Sequence, residues 1–262
     1  IKLTEQAITS RTRLVVWPET AIPTDFYSNS RFGSELSFIK KKYNITLVVG
    51  AYLDGKDGKS FNSLFAISPD GTEIKPYCKQ ILAPFGECFP LGSFFKKAVP
   101  SLSKIIDTST SIICAEKPQI ITSPFGKIGG IICYESIFSK ISNCNVKNGA
   151  EILTVASNDS WSGETSALRQ HHAHAVMRAV ETKRFVLRAS NTGISSVISP
   201  FGKIENSAQP FKAGFASAEV SLISEKTLYT RIGDIIILPS FCIIAFSLVR
   251  AFKNRGKLFS SK

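Results

Sequence analysis

The sequence predicts an α/β domain followed by a single membrane-length helix. Three observations carry this: a series of short apolar runs of strand length, an amphipathic stretch of helical period among them, and a last apolar segment closed by basic residues. The apolar runs at residues 14–16, 45–49, 64–67, 128–133, 152–155, 185–187 and 194–198 read as buried strands. Residues 166–184 read as a helix, because Leu168, His172, Ala175, Val176, Ala179 and Val180 share a face at i, i+3, i+4 spacing. Three turns repeat one pattern, Ser68-Pro-Asp-Gly71, Ser123-Pro-Phe-Gly126 and Ser199-Pro-Phe-Gly202. Proline presets φ and glycine supplies positive φ, so each is expected to close a hairpin.

From 235 to 249 every residue is apolar except Ser240 and Ser247, with Pro239 and Cys242 as the other weak points. With residues 250–252 the stretch approaches the lower limit for crossing a bilayer. The alternative is a buried C-terminal helix. The basic run that starts at Lys253 favours the membrane and marks the tail as cytoplasmic, which puts the domain on the extracytoplasmic side. The expected plan is therefore a catalytic domain over 1–228, a connector and transmembrane helix over 229–252, and a basic cytoplasmic tail over 253–262. The chain begins at Ile1 with no signal-like segment, and is expected to be part of something longer.

Composition narrows the function classes. At 262 residues, 44% hydrophobic and 20% charged, the chain is ordinary globular material with enough length for a sizeable core. The net charge is +12, and Arg250, Lys253, Arg255, Lys257 and Lys262 supply five of those charges within an acid-free C-terminus. A basic surface suits anionic lipid, or is simply solvated; no nucleic-acid-binding motif is present. The six cysteines have no CxxC spacing and are too sparse for a disulfide scaffold.

Polar groups recur at the carboxyl ends of the strand-like runs, where open α/β folds place their sites. Cys133 ends one run and is the candidate nucleophile; taken alone, a strand cysteine is more often an inert small hydrophobe. Glu135 lies two residues on. Glu19 follows Trp17-Pro18 at the end of another run, where desolvation would suit a base. Lys79, in a segment that continues through Glu87 to Pro90, could steady an oxyanion. His171, His172 and His174 all fall on the 166–184 helix. His171 and His174 could share a ligand or partner Cys133, but there is no HExxH and no carboxylate at metal spacing beside them.

Trp17-Pro-Glu19, the Lys79…Pro-Phe-Gly-Glu87…Pro90 block and Ile132-Cys133-Tyr134-Glu135 fall in the order and spacing of the nitrilase, or carbon–nitrogen hydrolase, superfamily. Asn158-Asp-Ser-Trp161, Gln170-His171, Arg178-Ala-Val-Glu181, Arg184, the segment from Arg188 to Ser195 and that from Thr227 to Asp234 resemble, within it, the apolipoprotein N-acyltransferase family. The resemblance covers residues 13–252. It implies a nitrilase-like αββα sandwich with a closing transmembrane helix, and places the domain's first strand and preceding membrane helices outside this chain. It implies Glu19 as general base, Lys79 as oxyanion stabiliser and Cys133 as acyl-accepting nucleophile. Glu87 and Glu135 match supporting carboxylates, and Trp161 an aromatic beside the nucleophile. The implied reaction moves an acyl chain from a membrane phospholipid, through a cysteine thioester, to the α-amine of a diacylated apolipoprotein at the bacterial inner membrane, without a cofactor. The alternatives are a soluble amidase using water as acceptor and a catalytically silent fragment.

Overall fold

The computed structural model describes residues 1–28, 36, 42–56, 58–70, 73–99, 101 and 111–259. In chain order they form α1 (Lys2–Ala7), β1 (Leu14–Val16), β2 (Ile22–Asp25), β3 (Thr46–Asp54), β4 (Ser60–Ile67), β5 (Glu73–Cys78) and α2 (Gly92–Ala98). Then follow β6 (Ile120–Ser123), β7 (Gly126–Ile132), a 3-10 turn (Cys133–Ile137), α3 (Ser139–Lys147), β8 (Ile152–Ser157), α4 (Ser166–Thr182), β9 (Val186–Ser190), β10 (Ser196–Ile198) and β11 (Ile204–Ser207). The C-terminal part is α5 (Leu228–Ile232), a 3-10 turn (Gly233–Ile236) and α6 (Ile237–Phe259).

Two sheets result. In the first, β3, β4 and β5 are antiparallel neighbours, while β1 and β2 lie one after the other along the remaining edge of β3, both parallel to it. The second has the order β11-β10-β9-β8-β7-β6, with a parallel centre of β7, β8 and β9. Its parallel pairs need crossovers, supplied by α3 and α4.

The period-2 alternation of the strands assigns each face. Val48 of β3, Leu64 and Ala66 of β4, Ile128 and Ile132 of β7, and Ile152 and Ala156 of β8 all enter one buried cluster between the sheets. Their odd-numbered or intervening neighbours point outward. Ile131, Leu153 and Val155 pack with Ile141, Val146, Ala175 and Ala179 of α3 and α4. On the other side Leu47, Val49, Phe65 and Ile67 pack with Leu36. Tyr77 lies across the inner layer; a side chain at Gly130 would begin 2.6 Å from its ring, so only glycine lets the sheets close there.

The strand expectations hold at all seven runs, with ends that agree or shift by up to five residues. All three proline turns join antiparallel pairs, β4 to β5, β6 to β7 and β10 to β11; Gly71 of the first lies outside the described residues. The helical face differs from expectation at one end. Val180 is 47% exposed, and Arg178 and Thr182 are buried in its stead. Helix α6 stays helical to Phe259, so the helix continues through the basic run rather than stopping at residue 252. The stretch Leu228–Leu248 is long and apolar enough to cross a membrane by length and composition, with mean hydropathy 1.8 and none of it buried against the domain.

Candidate active site

Glu19 sits where the edge of the first sheet is interrupted. β1 pairs with β3 up to Val48, β2 resumes pairing at Ala51, and the five residues between them turn inward opposite Gly50. A β-carbon at Gly50 would lie 2.4 Å from the Pro18 carbonyl oxygen and 2.8 Å from the Glu19 α-carbon. The turn can lie this close only because position 50 has no side chain. Thr20, the next residue, holds a positive φ of 48°. Glu19 is thereby buried, 5% exposed, with its carboxylate fully engaged. Oε1 accepts from Asn62 Nδ2 at 2.7 Å and from Lys79 Nζ at 3.2 Å; Oε2 accepts from the Asn158 backbone N–H at 2.7 Å.

Lys79 leaves the end of β5 and is tied to β4 by its backbone N–H, which donates to the Asn62 carbonyl at 2.9 Å. Its ammonium is 1% exposed and meets both oxygens of Glu87, at 2.7 and 2.8 Å. Glu87 is held in turn by Asn62 Nδ2 at 3.0 Å and by the Ala83 backbone N–H at 2.8 Å. Burial opposes the lysine's charge, but Glu19 and Glu87 outweigh it and hold the ammonium above its ordinary pKa. Lys79 is therefore a fixed, buried cation shared by two carboxylates.

Cys133 follows β7 directly, at the carboxyl edge of the second sheet, with φ of 48° and 9% exposure. Burial pushes its thiol up to about 12; Glu19 adds to the rise, while Lys79, Ser157 and Asn158 work against it. The resting group is a protonated thiol that ionises only when a base removes its proton. Glu135, one turn on, is fully buried. It accepts from the backbone N–H groups of Ile132 (2.8 Å), Gln80 (2.6 Å) and Ile81 (3.2 Å) and from the Tyr77 hydroxyl at 2.8 Å. It so pins the end of β7 to the lysine loop. Burial raises its pKa to about 7.

Behind the cysteine lies a second buried polar group. Asp159 Oδ1 meets His171 Nδ1 at 2.7 Å and the Ser157 hydroxyl at 2.8 Å; Oδ2 meets Arg188 Nη2 at 2.7 Å and the Ser190 hydroxyl at 2.8 Å. Burial alone would raise the Asp159 pKa, but His171 and Arg188 hold it well below the usual carboxylate range. His171 Nε2 reaches the backbone carbonyl of Cys133 at 3.0 Å. Cys133, Asp159 and His171 present donor atoms within 4.8 Å of one another, a grouping that could hold a metal ion. The Arg188 guanidinium against Asp159 and the partners already on both His171 nitrogens argue against a cation there. They equally argue against His171 as the base for the thiol, since Nε2 is engaged by the carbonyl.

The structure thus brings Glu19, Lys79, Glu87 and the electrostatic surroundings of Cys133 together, and places Glu135 beneath them. Trp161 lies on a short 3-10 turn (Ser160–Ser162) after β8 and is 69% exposed, so it is an open aromatic two residues beyond Asp159 rather than a packed wall. The sequence reading missed Asn62, which bridges Glu19 and Glu87, and the Asp159 carboxylate beside His171. Asn62 carries no motif. Asp159 was visible as a strand-end carboxylate, but its partner lies on another element, so spacing along the chain gave no sign of it.

The sequence profile of the carbon-nitrogen hydrolase family matches residues 1–227. Among solved structures, a carbon-nitrogen hydrolase from Helicobacter pylori G27 superposes with a TM-score of 0.60 at 17% identity, over 81% of this chain and 79% of its own. A mutant amidase from Nesterenkonia sp. AN1, caught with acrylamide added at its active-site cysteine, gives 0.63 at 15% identity over 92% and 89%. Matched residues and fold agree: the chain belongs to the carbon-nitrogen hydrolase family, with the nitrilase-like sandwich. Curated relatives narrow the comparison. Proteins named apolipoprotein N-acyltransferase from Geobacter metallireducens and Wigglesworthia glossinidia brevipalpis are 33% and 35% identical over 93% and 94% of this chain. The chain spans 46% and 49% of their lengths, about half.

Proposed function

We propose that this chain is the catalytic part of a membrane acyltransferase that moves an acyl chain from phospholipid to the α-amine of a diacylated apolipoprotein. The observation that carries it is the buried Glu19–Lys79–Glu87 cluster around a raised Cys133 thiol, in a chain that also bears a helix of membrane length left uncovered by the domain. Glu19 takes the thiol proton as sulfur attacks the ester carbonyl. The Lys79 ammonium offsets the oxyanion of the tetrahedral intermediate, which costs no reorganisation because the charge is already fixed. Collapse of the intermediate expels the lysophospholipid alkoxide, which regains the proton from Glu19, and leaves a thioester. The lipoprotein amine then attacks the thioester, its proton passes to Glu19, and the thiolate leaves and is reprotonated. The two transfers share one base and one oxyanion site, and each barrier is lower than that of a direct exchange.

Substrate delivery fits the segment that follows Lys79. Phe85, Leu91 and Phe94 are 71%, 72% and 62% exposed on the segment that begins five residues after Lys79. Phe85 and Leu91 also hold positive φ, 63° and 55°, a strained backbone of the kind found at functional loops. Apolar rings beside Lys96 and Lys97 suit an interface with lipid. Helix α6 would anchor the domain: Ile237, Leu238, Phe241, Ile243, Ile244, Phe246 and Leu248 are all more than half exposed, and each would gain roughly 1.5–3 kcal/mol on leaving water. The basic residues in its C-terminal turns set the tail in the cytoplasm and the domain outside.

Incubating the full-length enzyme with acyl-labelled phospholipid, without acceptor, tests the reading. The label should remain on Cys133 and be released by neutral hydroxylamine, and a diacylated lipopeptide should then take it up. Release as free fatty acid, with none on the lipopeptide, would favour a hydrolase with water as acceptor. Label surviving in Cys133→Ala would remove the nucleophile from the scheme.

A further inference from the structure

We propose that His171 is a positioning residue that clamps the backbone of the nucleophile, and that Asp159, held by Arg188, fixes this clamp and the anchor of the base together. The proposal rests on Cys133 as nucleophile and Glu19 as base. Cys133 has a positive φ of 48°. For a residue with a β-carbon, such a conformation costs on the order of 1–3 kcal/mol and persists only where neighbours enforce it. Two groups do so from opposite sides. Glu135 takes the Ile132 backbone N–H just before the cysteine, at 2.8 Å. His171 Nε2 takes the carbonyl of Cys133 itself, at 3.0 Å. A carbonyl only accepts, so this nitrogen is the donor, and the ring holds main chain rather than sulfur.

The ring is itself held. Its other nitrogen meets Asp159, and Asp159 accepts from Arg188, Ser157 and Ser190 as well. The cluster is shut away from water: His171 is 6% exposed, Asp159 1% and Arg188 3%. It is also tightly enclosed, since a β-carbon at Gly193 would lie 2.0 Å from Asp159 Oδ2. Among the described residues Arg188 Nε and Nη1 have no partner, so its only ionic partner there is Asp159.

The consequence lies one residue earlier. Asn158 precedes Asp159; its backbone N–H donates to Glu19 Oε2 at 2.7 Å, and its carbonyl is 4.0 Å from Cys133 Sγ. A single carboxylate at the end of β8 therefore fixes the nucleophile through His171 and the base through Asn158. The separation of sulfur and carboxylate is set from behind the site, where His171 holds main chain and Asp159 and Arg188 hold His171.

Acrylamide alkylation of the full chain, followed cysteine by cysteine by peptide mass spectrometry, tests this without depending on turnover. Exposed Cys114 serves as reference, and buried Cys78 reports whether the fold is intact. His171→Phe should slow Cys133 relative to Cys114 by about tenfold or more, since misplacing a reacting group by about an ångström costs up to roughly 10²-fold. His171→Gln, whose amide can still donate to the carbonyl, should recover most of the rate, which a merely space-filling role would not. Asp159→Asn should fall between. His172→Gln, on the same helix with its ring on Ser196, should stay within twofold. With Cys78 still protected, a Cys133 rate in His171→Phe within twofold of wild type, or above it, would overturn the clamp. Should His171→Phe expose Cys78, an Asp159→Asn rate within twofold of wild type would overturn it. Glu19→Gln runs alongside: if it leaves Cys133 unchanged, the base assignment fails, while the clamp is judged on the other variants.

Discussion

Gly50→Ala should disable the site while leaving the fold in place. The added methyl group would lie 2.4 Å from the Pro18 carbonyl oxygen, and 2.8 Å from both the Glu19 α-carbon and the Thr20 nitrogen. All three are backbone atoms, so no side chain can swing aside. To restore a tolerable 3.0 Å contact the turn must retreat by 0.6 Å at its nearest point. Glu19 has little slack: its bond to Lys79 is already 3.2 Å, and a retreat of that size along it leaves hydrogen-bonding range. Overpacking of this kind costs roughly 1–3 kcal/mol of stability. The catalytic loss should be larger in proportion, on the order of 10²-fold in acyl-enzyme formation, because base and thiol no longer meet. The assay is the burst of hydroxylamine-labile label on Cys133, read against thermal melting. Gly214→Ala is the control, since its β-carbon meets nothing closer than Ala208 at 3.6 Å. A Gly50→Ala enzyme that folds and forms acyl-enzyme within twofold of wild type would refute the idea that this close approach positions Glu19.

Lys79→Met should lower acyl-enzyme formation by about 10²–10³-fold, as loss of one oxyanion-stabilising group does; a rate within twofold of wild type would make the lysine purely structural. Burial holds the His172 pKa down to about 4, with Arg188 and His171 opposing its charge and Asp159 favouring it. The unfolded chain therefore binds the extra proton first, and stability should fall as pH drops from about 6.5 to about 4, by at most about 3 kcal/mol. Denaturant titrations should show that share of the slope vanish in His172→Gln. Phe94→Ser should leave the melting temperature nearly unchanged, since the ring is 62% exposed, yet weaken activity on bilayer phospholipid more than on a short-chain soluble ester. A reporter fused after Lys262 should be active in the cytoplasm, and activity only outside it would reverse the assigned topology.

Much of this was legible in the sequence because the chemistry sits at strand ends. Cys133 closes an apolar run and Glu19 follows one, so both candidates could be singled out before any contact was known; Lys79 follows β5, a strand with no apolar signal of its own, and only the motif around it marked it out. Of the four strands that escaped notice, β2, β5, β6 and β11, the first two share a reason. β2 reads Ile-Pro-Thr-Asp and β5 reads Glu-Ile-Lys-Pro-Tyr-Cys, and each carries a proline and charged residues that suppress the apolar signal. Pairing with β3 and β4 decides their conformation, not local preference. Val180 was misassigned because a helical face read from hydrophobicity ignores what lies opposite. Arg178 is buried in its place because its guanidinium meets the carbonyls of Ser136 and Ile137 and the Glu181 carboxylate. Asn62 could not be found by pattern at all, and Arg188 was marked only as the start of a matching segment; what each of them holds is decided by what the fold carries to it.

Glu19 and Lys79 belong to one sheet, Cys133 and Asn158 to the other, and the bond from Asn158 to Glu19 spans 139 residues of sequence. Until the two layers have docked, the thiol would lack both the proton acceptor and the cation proposed for it. Competence to form a thioester is in this sense a report on completed assembly. On the proposed mechanism, a nascent or half-unfolded chain lying on a membrane would leave its ester bonds untouched.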